Sequence, residues 1–178
     1  MFNVSGRGWD QGFDYEKTKK FLLEQIRQLR GKPGIRARKA LGHNAILLTQ
    51  LRNGSRVSEA VDAVRQWCST RKKEVEVRVR KHRTDDTRQM VIPEELKEED
   101  RLDISSVASE LTVVTAKTYA KRAYKWNTHS LRYARITYLV QRGVAPSIVA
   151  KITHHSRLDY VLRYTEQKTA DQISRQID

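Results

Sequence analysis

Three short stretches of this chain carry side chains suited to gripping a phosphate and moving protons around it. In GSRVSEA at 54–60, Arg56 stands at the start of a run with helical spacing. There its guanidinium lies beside backbone N–H groups that a helix's first turn leaves unpaired, and both attract phosphate oxygens. Glu59, three residues on, either buttresses Arg56 or favours the helix start. In HSLR at 129–132, His129 and Arg132 stand three apart and share a helix face, with Leu131 turned toward the core. A histidine exchanges protons near neutral pH and an arginine holds two oxygens at once, so the pair suits phosphoryl transfer. In HHSRLDYVLRY at 154–164, His155 and Tyr164 are nine apart, room for a short turn and then helix that brings both to one cleft. Tyr160 shares the face of Tyr164 at four residues' distance, so either is eligible as a nucleophile, and an aromatic pair at that spacing also serves plain packing.

The elements that must position these groups are mostly helices. Asp14 is placed to cap a helix over Tyr15 to Arg30, in which Phe21, Leu22, Ile26 and Leu29 recur at helical spacing. GKPG at 31–34 breaks it, and a second helix is expected from Ile35 to Leu51 with Ala40, Leu41, Ile46, Leu47 and Leu48 in the core. NGS at 53–55 ends that helix, and Ser55 is expected to cap a third from Arg56 to about Arg65. EVEVRVR at 74–80 alternates valine with charge, the period-two mark of a half-buried strand; Arg88 to Ile92 forms its partner, with KHRTDDT at 81–87 as the hairpin turn. Pro93 and EELKEED are expected to close this small sheet. Ile104 to Tyr124 reads as mostly helical, and helices follow at Ser130 to Arg142 and Ser147 to Ile152. Leu158 to Ile177 is expected to hold one or two more. The fold class is therefore α+β, mainly α with a small antiparallel sheet.

A chain of 178 residues is long enough for one domain with a real core. Lys and Arg number 35 against 21 Asp and Glu, a formal charge of +14, which makes nucleic acid the leading partner through phosphate neutralisation and counterion release. No apolar run approaches the roughly 20 residues of a membrane span, and MFNVSGRGWD lacks the build of a signal peptide, so no membrane partner is expected. The single cysteine, Cys68, permits no intrachain disulfide and points to a reducing cytoplasmic compartment. No GxxxxGK[ST] phosphate loop occurs, and Cys68, His43 and His82 are too scattered for a metal set, as is His154–His155 alone.

Taken in order, these stretches resemble the catalytic domain of the tyrosine recombinases, the phage and archaeal integrase family. GSRVSEA resembles its first arginine motif, with Glu three residues after Arg. KHRTDDTRQMVIP resembles the hairpin that bears a catalytic lysine, HSLR its His-x-x-Arg box, and His155 to Tyr164 its spacing from histidine to nucleophile. The resemblance runs from about Asp14 to Lys168. Thr153 and His154 stand where the family usually has Leu-Gly, and Tyr133 where a histidine is frequent. Counting nine residues on from His154 reaches Arg163, no phosphate nucleophile, so the register favours His155. Lys81 begins the turn and is the choice for the catalytic lysine, with Arg80 and Arg83 as neighbours.

The resemblance implies the tyrosine recombinase catalytic-domain fold over residues 14–166, after an irregular lead-in at 1–13 and before a helical tail at 167–178. It also implies a reaction on double-stranded DNA with no cofactor, no metal and no small-molecule substrate. Tyr164 would attack the phosphate, Arg56 and Arg132 would neutralise the growing charge, and His155 would donate a hydrogen bond to the phosphate. His129 would take the tyrosine proton and Lys81 would protonate the departing 5′ oxygen, leaving a 3′-phosphotyrosine link. The family implies a tetramer on DNA, docked through the tail, in the cytoplasm of a prokaryotic host, the gene being viral or plasmid-borne in one reading. About 13 residues precede the first helix, whereas family members usually carry a clamp domain there. A fragment and a stand-alone catalytic domain are both compatible with that. Two rivals stay open: a basic DNA-binding protein that does not cleave, and a type IB topoisomerase-like strand-relaxing enzyme.

Overall fold

The computed structural model describes residues 13–79, 86–154 and 174. The lead-in at 1–12, the turn at 80–85, and most of the chain after His154 lie outside the described residues, and with them Lys81, His155, Tyr160, Tyr164 and the expected final helices.

Helix α1 (Tyr15–Leu29) starts where expected, because the Asp14 carboxylate accepts the Lys17 backbone N–H at 2.8 Å and satisfies one of the first turn's unpaired donors. It buries Tyr15, Leu22 and Ile26, while Phe21 stays partly exposed and packs edge-on against Tyr124 and at a tilt against Trp126. Helix α2 (Ile35–Asn53) is buried without interruption from Leu41 to Leu51, the mark of a central helix covered on every side. It packs against α1, α3 (Val57–Thr70), α4 (Glu98–Ser105), α5 (Val113–Tyr124) and α6 (Thr128–Gln141).

Two strands, β1 (Glu74–Arg78) and β2 (Thr87–Val91), pair antiparallel with Val75 opposite Met90 and Val77 opposite Arg88. The period-two burial sends Val75, Val77, Arg88 and Met90 to the core face. An arginine thus occupies an inward position of the sheet.

Four local expectations are corrected. Helix α3 runs on to Thr70, carrying Trp67 and Cys68 into the core, well past Arg65. Its cap is Arg56 rather than Ser55: the Arg56 backbone N–H donates to the Glu59 carboxylate at 3.1 Å, and the Ser55 hydroxyl is buried with no hydrogen-bond partner among the described residues. The acidic stretch after Pro93 does not merely close the sheet but starts α4, since carboxylates at a helix N-terminus meet the positive end of its dipole. There Asp100 accepts the Lys97 backbone N–H at 2.8 Å and pairs through both oxygens with Arg30, at 2.8 and 2.7 Å, tying α4 to the end of α1. Finally, the helical stretch expected from Ile104 to Tyr124 is two helices joined by a 3₁₀ turn (Ala108–Glu110), because Thr112 and Thr115 cap a fresh start at α5.

Helix α6 begins at Thr128, two residues earlier than expected, with the Asn127 side chain accepting the His129 backbone N–H at 3.0 Å. Its outer part packs on α1, where Tyr15 stacks on Tyr138 at 4.1 Å between ring centres and the Arg135 guanidinium lies over both rings. Helix α7 (Pro146–Thr153) opens on a proline at its first position and ends at His154 in the left-handed conformation. None of the helices among the described residues is long and apolar enough to cross a membrane. The described architecture is mainly helical with one small antiparallel sheet, as the sequence pattern predicts.

Candidate active site

The first arginine motif and the His-x-x-Arg box meet at the C-terminal end of α2. That helix closes on Gly54, whose φ of +57° is the left-handed conformation in which an added Cβ is strained. A Cβ there would also lie 2.9 Å from the Thr153 methyl and 3.0 Å from Arg135 Cγ, so α6 and α7 approach this turn as closely as a glycine permits. Arg132, from the second turn of α6, donates Nη1 to the Gly54 carbonyl at 3.1 Å. Arg56 starts α3 two residues later.

Two amide side chains of α2 hold this junction. Gln50, buried, donates to the Ser55 carbonyl at 3.2 Å and to the Thr128 carbonyl at 2.8 Å, joining the turn before Arg56 to the turn before His129. Asn53 exchanges both hydrogen bonds with Val91, as donor to its carbonyl at 2.8 Å and acceptor from its N–H at 2.9 Å, so α2 borrows the hairpin's edge. Buried amides that bridge separate segments in this way favour a single arrangement of those segments.

The charges are unequal. Glu59 is fully buried and takes three donors: the Arg56 backbone N–H, Arg56 Nη1 at 3.0 Å, and Arg88 Nη1 at 3.1 Å. Both readings of Glu59 therefore hold, since it buttresses the guanidinium and caps the helix at once. Arg132 lies close enough to feel the charges of Arg56, Arg88 and Glu59, so three guanidiniums and a carboxylate gather at this turn. Burial lowers the pKa of Arg132 to about 10, and Arg56 and Arg88 push it the same way against the pull of Glu59. Burial likewise depresses Arg88. An anion entering here would offset the mutual repulsion of these buried cations.

His129 stands exposed in the first turn of α6, and Leu131 is fully buried as expected. The described part of the site thus brings together Arg56, Glu59 and Arg132, with the His129 turn fastened beside them. Lys81, His155 and Tyr164 lie outside the described residues. Sequence reasoning overlooked Arg88, Gln50 and Asn53. Arg88 was open to detection, because strand alternation puts it on the face of Met90 and Ile92; the two amides left no mark among the other polar residues of α2.

The chain is 35% identical over 170 residues to "Putative integrase ORF241" of Acidianus two-tailed virus, covering 95% of this chain and 68% of that protein. The chain belongs to this integrase family. It is also 31% identical over 199 residues to "Uncharacterized protein MJ0770" of Methanocaldococcus jannaschii, across 95% of this chain and 88% of the relative. "Putative integrase V10" of Sputnik virophage is 26% identical over 211 residues, across 94% and 89% of the two chains. No protein-family model matches the chain, and no solved structure matches it. Membership in the integrase family rests on similarity over nearly the full chain.

Proposed function

We propose that this integrase-family chain is a DNA strand transferase of the tyrosine type, acting on double-stranded DNA as a site-specific recombinase without metal or nucleotide cofactor. The observation that carries the reading is the meeting of Arg56 and Arg132, from the two arginine-bearing motifs, at the Gly54 turn beside the buried Glu59 that pairs with Arg56 and Arg88. A phosphodiester carries one negative charge, and its pentacoordinate transition state carries two. Guanidiniums gathered at one turn match the second state better than the first, and such preorganised charge is commonly the largest part of catalysis.

In this mechanism the Tyr164 oxygen attacks phosphorus while its proton passes to His129. The bond from phosphorus to the 5′ oxygen breaks, and Lys81 gives that oxygen its proton. The products are a 3′-phosphotyrosine and a free 5′-hydroxyl, and attack by another strand's 5′-hydroxyl reverses the step and releases the tyrosine. Arg56 and Arg132 hold the non-bridging oxygens, with His155 donating a further hydrogen bond. Assembly as a tetramer on DNA, through the tail beyond residue 167, accounts for exchange between two duplexes. The excess of 35 basic over 21 acidic residues supports duplex DNA as the partner.

The test is a suicide duplex nicked beside the attack site, prepared from fragments selected by covalent capture. The parent chain forms a covalent protein–DNA adduct and Tyr164→Phe forms none, while Tyr160→Phe retains it. Binding without any adduct would reduce the chain to a DNA-binding protein, and an adduct that persists in Tyr164→Phe but vanishes in Tyr160→Phe would move the nucleophile.

A further inference from the structure

Arg88 lies inside the sheet's core face, opposite Val77 and in step with Met90, where an apolar side chain would pack at no cost in charge. Its guanidinium spends its donors on three separate elements. Nη1 donates to Glu59 Oε2 in α3 at 3.1 Å. Nη2 donates to the Asn53 carbonyl, the last residue of α2, at 3.0 Å, and to the Ile152 carbonyl in the last turn of α7 at 2.8 Å. Both carbonyls belong to helix C-termini, where acceptors are left over and the helix dipole is negative. One side chain therefore closes two helices and braces the carboxylate that holds Arg56.

The arrangement is electrostatically expensive. The group is buried, and Arg56 lowers its pKa further while only Glu59 raises it. Replacing buried ion pairs by apolar side chains often leaves a fold as stable or more so, so stability alone does not call for an arginine here. What the guanidinium supplies that an apolar residue cannot is a fixed relation between Glu59 and the end of α7. Ile152 comes three residues before His155 in the chain, so the α7 end is the point from which the proposed His155 and Tyr164 segment departs.

We propose that Arg88 is a positioning residue for strand transfer: it fixes Glu59, and through it Arg56, relative to the C-terminal end of α7 that leads to the nucleophile segment. This rests on the strand-transferase reading and adds to it a residue that does not touch DNA. Lysine keeps the charge but cannot reach three acceptors in a fork.

The test compares the parent with Arg88→Lys and Arg88→Met at a temperature where far-UV circular dichroism shows equal helical content. Three readouts are taken: single-turnover adduct formation on saturating nicked duplex, duplex affinity, and amide hydrogen exchange across 146–154. For Arg88→Lys the expected result is about 10- to 100-fold slower adduct formation with affinity within about 3-fold of the parent, the signature of misplacement rather than lost binding. Exchange in the last turn of α7 rises while that of α1 stays unchanged. Arg88→Met shows the same pattern and serves alone where the lysine variant reaches no folded state. Adduct formation within about 2-fold of the parent, unchanged α7 exchange, or a rate loss matched by an equal affinity loss overturns the proposal. If the parent itself forms no adduct on any duplex, the strand-transferase reading falls; the exchange readout still decides whether Arg88 holds the α7 end.

Discussion

Arg132 donates Nη1 to the Gly54 carbonyl at 3.1 Å, so the box arginine is held by the same turn that launches the first arginine motif. The two motifs are far apart in sequence yet share one hinge of backbone, and the hinge works because Gly54 has no side chain. Gly54→Ala places a Cβ in the left-handed conformation and drives it against Thr153 and Arg135. We expect a loss of about 2–4 kcal/mol in urea unfolding, the sum of backbone strain and crowding. A variant with undiminished stability would mean that α6 and α7 yield easily at this turn.

Arg132→Lys tests the charge match directly. The lysine ammonium presents a point charge in place of a planar fork, and it is more strongly hydrated, so it suits this buried site poorly. Adduct formation on the nicked duplex is expected to fall about 100-fold or more, comparable to the loss of one transition-state donor elsewhere, with duplex affinity changing far less. The pKa of about 10 leaves Arg132 charged at neutral pH in the free protein. Equal losses of rate and affinity would show that Arg132 binds ground state and transition state alike.

The fold was legible wherever pattern and local chemistry agreed. Asp14 caps α1, the valines of EVEVR alternate inward, and Leu131 turns from Arg132 into the core, each dictated by neighbours a few residues away. Legibility failed where tertiary partners decide. Ser55 is a sound capping residue by type, yet Glu59 satisfies the helix start through Arg56, and the serine is buried instead. The break after Ser105 is different, since its signals are local: the Ser105 and Ser106 hydroxyls donate back to the Arg101 and Asp103 carbonyls, and Thr112 and Thr115 pair reciprocally to start the next helix. The candidate site divides in the same way. Arg56, His129 and Arg132 announce themselves by type and spacing, whereas Gln50 and Asn53 act through backbone groups distant in sequence, which no spacing rule encodes.

Gln50→Leu probes that hidden part. The leucine matches the volume but leaves the Ser55 and Thr128 carbonyls without the amide, and buried acceptors that lose a donor cost free energy. A loss of about 1–3 kcal/mol in chemical denaturation is expected. Because the amide joins the Arg56 turn to the His129 turn, adduct formation should slow by more than the unfolded fraction explains. A rate that tracks the folded population alone would make Gln50 a stability residue only.

His43 sets a pH dependence that belongs to the core rather than the site. Its ring stacks on Tyr119 at 4.8 Å between centres, and neither ring nitrogen finds a hydrogen-bond partner among the described residues. Burial, with a smaller push from Lys39, lowers its pKa from 6.5 to about 4. The unfolded chain therefore binds a proton below about pH 6.5 that the folded chain refuses until about pH 4, so stability falls as pH drops through that window and this contribution levels off below it. The parent should lose on the order of 1–3 kcal/mol between pH 7 and pH 4 relative to His43→Phe, which keeps an aromatic ring against Tyr119 and carries no proton. Denaturant titrations of both proteins at half-unit pH steps measure the difference, and parallel curves for the two would show that His43 protonates equally in the folded and unfolded chain.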